Sequence, residues 1–290
     1  MTPRPGSRCP FLCIALLACA LVLALACGRG APPEPARTEV LFATTTSAVD
    51  TGLMDALLPV FEKETGLRVK LLSLGSGQAV ALAERGEADV ILAHSPQAEE
   101  KLVADGRAEG RAFVMENAFL LAGPPEDPCG VRGAATAKEA MARIATGCGL
   151  FVSRGDESGT HVMERGLWQE AGVSPGPPWY QEAGQGMGAT LRIASEKGAY
   201  TLTDRATFLV LRSGLRLEAI FQGEERLRNV YHVLSVSPTA NPRVNTEGGR
   251  ALARFLTSEE GRRLIGQFGV EKYGEPLFRV DAGGAAPPRP

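Results

Sequence analysis

Histidine is scarce in this chain, with three residues among 290, at His94, His161 and His232. They stand too far apart for the paired spacing of a transition-metal site, and none lies near a cysteine, so a zinc site is excluded. Each is read as a cap or a surface residue. A basic excess is missing too: 31 Lys and Arg against 33 Asp and Glu leave a formal charge of −2. No Lys/Arg run interleaved with aromatics occurs, which removes the electrostatic footprint of a nucleic-acid partner. The turn that carries both Ser158 and His161 lacks Gly-x-Ser-x-Gly, and triad members normally come from separate elements. An enzyme is therefore not expected. No helix-turn-helix or kinase segment appears either. With 44% hydrophobic and 22% charged residues, what remains is an ordinary globular composition.

Cysteine is sparse in the folded part. Of six in the chain, Cys9, Cys13, Cys19 and Cys27 belong to the N-terminal apolar segment. Cys129 and Cys148, each beside a glycine, suggest one disulfide closing a surface excursion in an oxidising compartment; two free thiols are the alternative.

The N-terminal segment has Arg4 and Arg8 before an apolar run from Pro10 to Ala26, ending Ala24-Leu25-Ala26-Cys27. A basic start, an apolar middle and small residues before a cut describe an export signal. Its ending resembles a bacterial lipoprotein signal over residues 1–27, with Cys27 lipidated. Leu16-Leu17-Ala18-Cys19 fits the same pattern, but a cut there would leave apolar Ala20 to Ala26 on the mature chain. A single membrane anchor is the other reading, and the run is short for one. Residues 28–37 then form a flexible Pro/Gly/Ala tether. These features place the folded part outside the cytoplasm, in the periplasmic space or on the outer surface, held to the membrane by lipid.

From Glu39 onward short apolar runs alternate with helix-period segments. Strand candidates are 39–43, 68–74 and 88–93, and helix candidates run from Leu53 and from Gln78. Pro59 should kink or loosen the first helix, and Thr65-Gly66 should stop it. The alternation predicts an α/β fold with mainly parallel sheets and ligands at the carboxyl ends of the strands. Those ends carry Thr44-Thr45-Thr46-Ser47 and Gly75-Ser76-Gly77-Gln78, hydroxyls and glycines rather than carboxylates. Two long apolar strands, 111–123 and 230–236, read as crossings between two lobes. One lobe takes 38–117 and 235–280, the other 118–234, and 281–290 is a loose tail. Two lobes joined by two strands suit a hinge-closing binding protein.

The richest stretch is Phe151 to His161, F-V-S-R-G-D-E-S-G-T-H. A strand running through a polar turn into a helix leaves unpaired N–H groups and a positive dipole end at one point, which favours an anion. Arg154 adds a permanent cation with forked donors. An ordinary capped helix with a surface arginine is the plain alternative for this stretch by itself. A third glycine-rich turn, Gly184 to Thr190, precedes another helix, and Asp204 is placed to cap the helix that runs to Leu211.

Taken in order, T-T-T-S, G-S-G-Q, Ala88-Asp89-Val90, S-R-G-D with S-G-T-H, and G-Q-G-M-G-A-T resemble the tungstate-binding components of ABC importers. These belong to the class II periplasmic binding proteins, and the likeness runs from Val40 to Phe278. The resemblance implies a two-lobed fold, a tungstate oxyanion held between the lobes, and a membrane permease as partner, with no cofactor and a monomeric state. It implies ligand contacts from Thr45, Thr46, Ser47 and Arg154, with Ser76, Ser158, Gly159, Thr160 and Thr190 where further donors are expected. Glu116-Asn117-Ala118-Phe119 and Asn229-Val230-Tyr231 depart from the usual hinge sequences. Molybdate, sulfate and phosphate are the competing ligands, and a ligand sensor of the same fold the competing role. Tungstate is fully deprotonated at neutral pH, so its site wants donors; Asp156 and Glu157 should point away, or in the case of Asp156 cap the following helix.

Overall fold

The computed structural model describes residues 38–281. The expected export signal, Cys19, Cys27, the tether and all but the first residue of the tail lie outside the described residues, as does the side chain of Cys148. Cys129 is buried; its expected pairing with Cys148 therefore also falls outside.

Strand β1 (Glu39–Thr45) leads through the short α1 (Thr46–Asp50) into α2 (Leu53–Thr65), and β2 (Arg68–Leu74) returns. Helix α3 (Ser76–Arg85), β3 (Val90–Ala93), α4 (Pro96–Ala104) and the long β4 (Ala108–Gly123) follow. In α2, Leu53, Met54, Leu57 and Phe61 are buried on one face, as a 3.6-residue period requires. The helix continues through Pro59 without a break. Pro59 and Asp55, whose carbonyl the proline cannot bond, are both on the exposed side, where solvent can satisfy that carbonyl.

The second half comprises α5 (Ala137–Arg143), β5 (Phe151–Ser153), α6 (Gly159–Glu170), β6 (Tyr180–Glu182), α7 (Met187–Lys197), β7 (Thr201–Asp204), α8 (Arg205–Leu211) and β8 (Glu218–Phe221). The chain then returns through β9 (Arg228–Val236) to α9 (Thr246–Thr257), α10 (Glu259–Gln267) and α11 (Val270–Tyr273).

The strands form two sheets of the same design. In the first, β1 pairs parallel with β2 and β3, then β9 runs antiparallel between β3 and β4. In the second, β5 pairs parallel with β6 and bridges in parallel to Tyr200 at the start of β7. There β4 runs antiparallel between β7 and β8. Strand β4 therefore serves both sheets: residues 108–118 pair with β9, and 119–123 pair with β7 and β8.

Each sheet is apolar on both faces, as helix-covered sheets require. Val90 and Leu92 pack with Phe42, Leu57 and Phe61, while Ile91 and Ala93 face Ala79, Ala83 and Leu102. In the second sheet Phe119, Leu121 and Phe151 pack with Trp168, and Leu120, Ala122 and Val152 pack with Met187 and Leu191. Burying each large side chain contributes about 1.5–3 kcal/mol. Asp89 ties the first sheet to α9, accepting from Leu41 N at 2.7 Å and Asn245 N at 2.6 Å. Among the described residues no helix is long and apolar enough to cross a membrane.

Candidate anion-binding site

The carboxyl end of β1 supplies the first hydroxyls. Thr45 caps α1, its Oγ1 accepting from Ala48 N at 3.4 Å, and it lies 3.2 Å from Ser47 Oγ. Ser47 Oγ is 3.1 Å from the hydroxyl of Tyr231 on β9, which accepts from Asn229 Nδ2 at 3.3 Å. The T-T-T-S turn is thus anchored to a crossing strand. Tyr231 is fully buried, and burial holds its phenol well above the usual range.

The carboxyl end of β5 supplies the cation. Ser153 Oγ accepts from Gly155 N at 3.2 Å, and Gly155 takes the left-handed conformation, φ 61°, that turns the chain toward α6. Between them Arg154 is only 4% exposed. Its Nε and Nη2 donate to Asp156 Oδ2 at 3.1 and 2.5 Å, and Nη2 reaches Thr46 Oγ1 of the first sheet's turn at 3.5 Å. The N-cap of α6 is Ser158, whose Oγ accepts from His161 N at 3.3 Å. Asp156 neither points away nor caps the helix by itself. Its Oδ1 accepts from Ser158 N at 3.1 Å while Oδ2 holds Arg154, because a buried guanidinium demands a local counter-charge. Glu157 does point outward, 71% exposed and paired with Arg165 at 3.1 Å.

The two halves touch at helix starts. Gly75 is the N-cap of α3, and a Cβ built on it would lie 3.6 Å from Cα of Ser158, the N-cap of α6. A Cβ on Gly77 would lie 3.4 Å from Glu157 O, and one on Gly159 would collide with the His94 ring at 2.2 Å. Gly159 and Thr160, the first residues of α6, have N–H groups with no intrahelical carbonyl to bond. Two helix N-termini meeting with a buried arginine beside them form a concentration of positive potential that an anion relieves.

Ser76 joins this seam, its Oγ accepting from His94 N at 3.4 Å. Thr190 is fully buried in the first turn of α7, which packs against α1. Its hydroxyl donates back to Gln185 O and Gly186 O at 3.3 and 3.1 Å, so it keeps no proton for a ligand.

Sequence reasoning passed over several residues here. Asp204 does cap α8, Oδ1 accepting from Thr207 N at 2.9 Å, and it also receives Asn117 Nδ2 at 3.0 Å. Its Oδ2 has no hydrogen-bond partner, and burial raises its carboxyl above the usual range. Thr44 Oγ1, His94 Nδ1 and Thr207 Oγ1 are likewise enclosed without a partner. All four belong to strand ends or to the helix turn that follows one, which is the only signal the chain offers for them. His94 and His232 are neither surface nor capping residues, whereas His161 does take part in capping α6. His161 is buried and its Nδ1 accepts from Glu157 N at 3.1 Å. His232 Nδ1 lies 3.0 Å from the buried carboxylate of Glu99. The His94 ring is wedged between Tyr231 and Gly159. Among the described residues no group of three or more His, Cys, Asp or Glu could hold a metal ion.

Residues 30–260 match the PBP superfamily domain. The tungstate-binding protein TupA of Peptoclostridium acidaminophilum is 41% identical over 280 residues, covering 93% of this chain and 98% of that protein. The crystal structure of the tungstate ABC transporter protein from Geobacter sulfurreducens shares 42% identity, with a TM-score of 0.72 over 80% of this chain and 100% of its own. The tungstate-binding protein TupA from Desulfovibrio alaskensis shares 36% identity, with a TM-score of 0.70 over 84% of this chain and 99% of its own. The chain belongs to the PBP superfamily and, within it, to the family of TupA tungstate-binding proteins of ABC transporters.

Proposed function

We propose that this protein captures tungstate between two lobes and hands it to the permease of an ABC transporter, without catalysing a reaction. The lobes are residues 38–117 with 235–280, and residues 118–234, hinged where β4 and β9 pass between them. The observation that carries this reading is the meeting of the α3 and α6 N-termini beside Arg154, which is buried and opposed to Thr46. Nη1 of Arg154 bonds no described residue and is the charged donor. The hydroxyls of Thr45, Thr46, Ser47, Ser76 and Ser158 and the N–H groups of Gly159 and Thr160 complete the ring. Thr190 lines it through the first turn of α7.

The chemistry suits a fully deprotonated tetrahedral dianion. Burying two charges is costly, and several charge-assisted hydrogen bonds must offset it. The names of the relatives point to the same ligand. The protein acts as an exported monomer, lipid-anchored through Cys27 to the cell envelope, with no nucleic-acid partner and no cofactor.

A thermal-shift panel with tungstate, molybdate, sulfate and phosphate on the chain from Gly28 onward tests this. A ligand at a hundred times its dissociation constant stabilises by about 2.7 kcal/mol. Tungstate should raise the melting temperature at the lowest concentration of the four. A melting temperature unmoved by tungstate would refute the reading, and stabilisation by phosphate or sulfate alone would reassign the ligand.

A further inference from the structure

Beside the donors proposed above lies an enclosed nitrogen with no hydrogen-bond partner, Nδ1 of His94. His94 directly follows β3, and its backbone N–H is tied to Ser76 at the start of α3. Its ring lies against Tyr231, with centroids 4.8 Å apart at 43°, and 6.2 Å from Phe119. The crossing strands therefore set the plane of the imidazole. Gly159 closes over it from the other sheet: a Cβ there would lie 2.2 Å from Cε1, 2.5 Å from Nδ1 and 3.0 Å from Nε2. Only a residue without Cβ lets the first turn of α6 approach so closely, and it meets the ring first at Cε1.

Burial, with the nearby Arg154 charge, lowers the imidazole pKa to about 3. At neutral pH the ring is uncharged and carries one N–H and one lone pair. A buried N–H left unbonded is costly, whereas one aimed at an anion makes a charge-assisted hydrogen bond. Two helix starts make the surroundings positive, while the Arg154 charge is already paired with Asp156. A proton on Nδ1 is idle there until an anion arrives, and a neutral donor adds a contact without a second buried cation.

We infer that His94 is a further tungstate-binding residue, whose neutral imidazole donates Nδ1–H to the oxyanion once Gly159 has closed against it. This rests on the tungstate reading above. The competing role is packing, with the ring serving only to support Tyr231.

Two substitutions separate the roles. His94→Leu keeps an apolar side chain against Tyr231 but has no N–H, while His94→Asn places an amide nitrogen about where Nδ1 stands. Calorimetric titration with tungstate should show the leucine variant weakened about tenfold or more, the loss of one hydrogen bond to a charged group. The asparagine variant should stay within about threefold of the wild type. Melting temperatures of the ligand-free proteins check that each folds. Nitrogen-15 NMR of the wild-type ring provides a measurement independent of either variant, and should show Nδ1 protonated in the tungstate complex. A leucine variant as tight as the wild type, equal losses in both variants, or an unprotonated Nδ1 in the complex would overturn the assignment. A wild type that does not bind tungstate in the same titration would instead remove the reading beneath it.

Discussion

Arg154 and Asp156 form a partly buried ion pair two residues apart in the chain, with Nη2 2.5 Å and Nε 3.1 Å from the same Oδ2. The pair sets the plane of the guanidinium and leaves Nη1 without a bond to any described residue. Gly155 between them, at φ 61°, turns the chain so that both side chains lie on one side. Local charge in the turn is therefore nearly balanced, and the proposed dianion would be met mainly by oriented dipoles and N–H groups.

Replacing Asp156 by asparagine should separate the two duties of this carboxylate. The asparagine Oδ1 can still accept from Ser158 N, but the counter-charge to Arg154 is gone. A buried guanidinium without its partner destabilises the ligand-free protein, here by about 2 kcal/mol since Asp156 is partly exposed. Tungstate then supplies the missing negative charge. Asp156→Asn should melt lower than the wild type without ligand and show a larger tungstate-induced rise, both read by thermal shift. A smaller rise would mean that orientation of the guanidinium outweighs its charge.

Arg154→Ala should lose about 2–5 kcal/mol of tungstate binding, the range for truncating a hydrogen-bonded buried charge pair. Isothermal calorimetry measures it directly. An alanine variant within a few-fold of the wild type would remove Arg154 from the ligand set.

Much of this site was legible because its parts are local. T-T-T-S and S-R-G-D-E-S-G-T-H each contain a strand end, a turn and a helix start within a dozen residues, and short-range capping rules govern them. Long-range parts were not legible. Nothing along the chain sets Gly75 beside Ser158, or His94 beside Gly159; the order of strands in the two sheets does. Helix α4 escaped the apolar pattern because its fully buried position is Glu99, held by Ser95 N at 2.7 Å and Arg111 Nε at 3.1 Å. Asp156 was misread for a related reason. A carboxylate near an anion site looks unfavourable until the arginine is known to be buried, and burial is a property of the assembled fold.

Gly159→Ala tests closure rather than donation. The added Cβ would collide with the His94 ring at 2.2 Å, and the ring is backed by Tyr231, so the halves must stay slightly apart. The ligand-free melting temperature should fall as well, since a Cβ at 2.2 Å must displace the ring or the helix start. Tungstate affinity should fall by about tenfold, on the order of 1.4 kcal/mol. Small-angle scattering should show a smaller tungstate-induced compaction than in the wild type. Unaltered affinity and compaction would place the closing contact elsewhere.

Glu164 lies under the Arg154 turn and makes stability depend on pH. Its Oε1 accepts from Trp168 Nε1 at 3.1 Å and from the Tyr180 hydroxyl at 2.9 Å. Burial raises its pKa from 4.5 to about 7, outweighing these hydrogen bonds, and Glu182 adds to the rise. The folded state thus holds this proton more tightly than the unfolded chain. Its contribution is complete below pH 4.5 and is lost as pH rises through about 7. Glutamine keeps the Oε1 acceptor without the ionisation. Glu164→Gln should therefore gain on the wild type as pH rises from 5 to 8, by about 3 kcal/mol at most, or several degrees in melting temperature. Melting curves of both proteins across that range measure the difference. Parallel curves would mean that the buried carboxylate stays ionised in the fold, with its charge held by Tyr180 and Trp168.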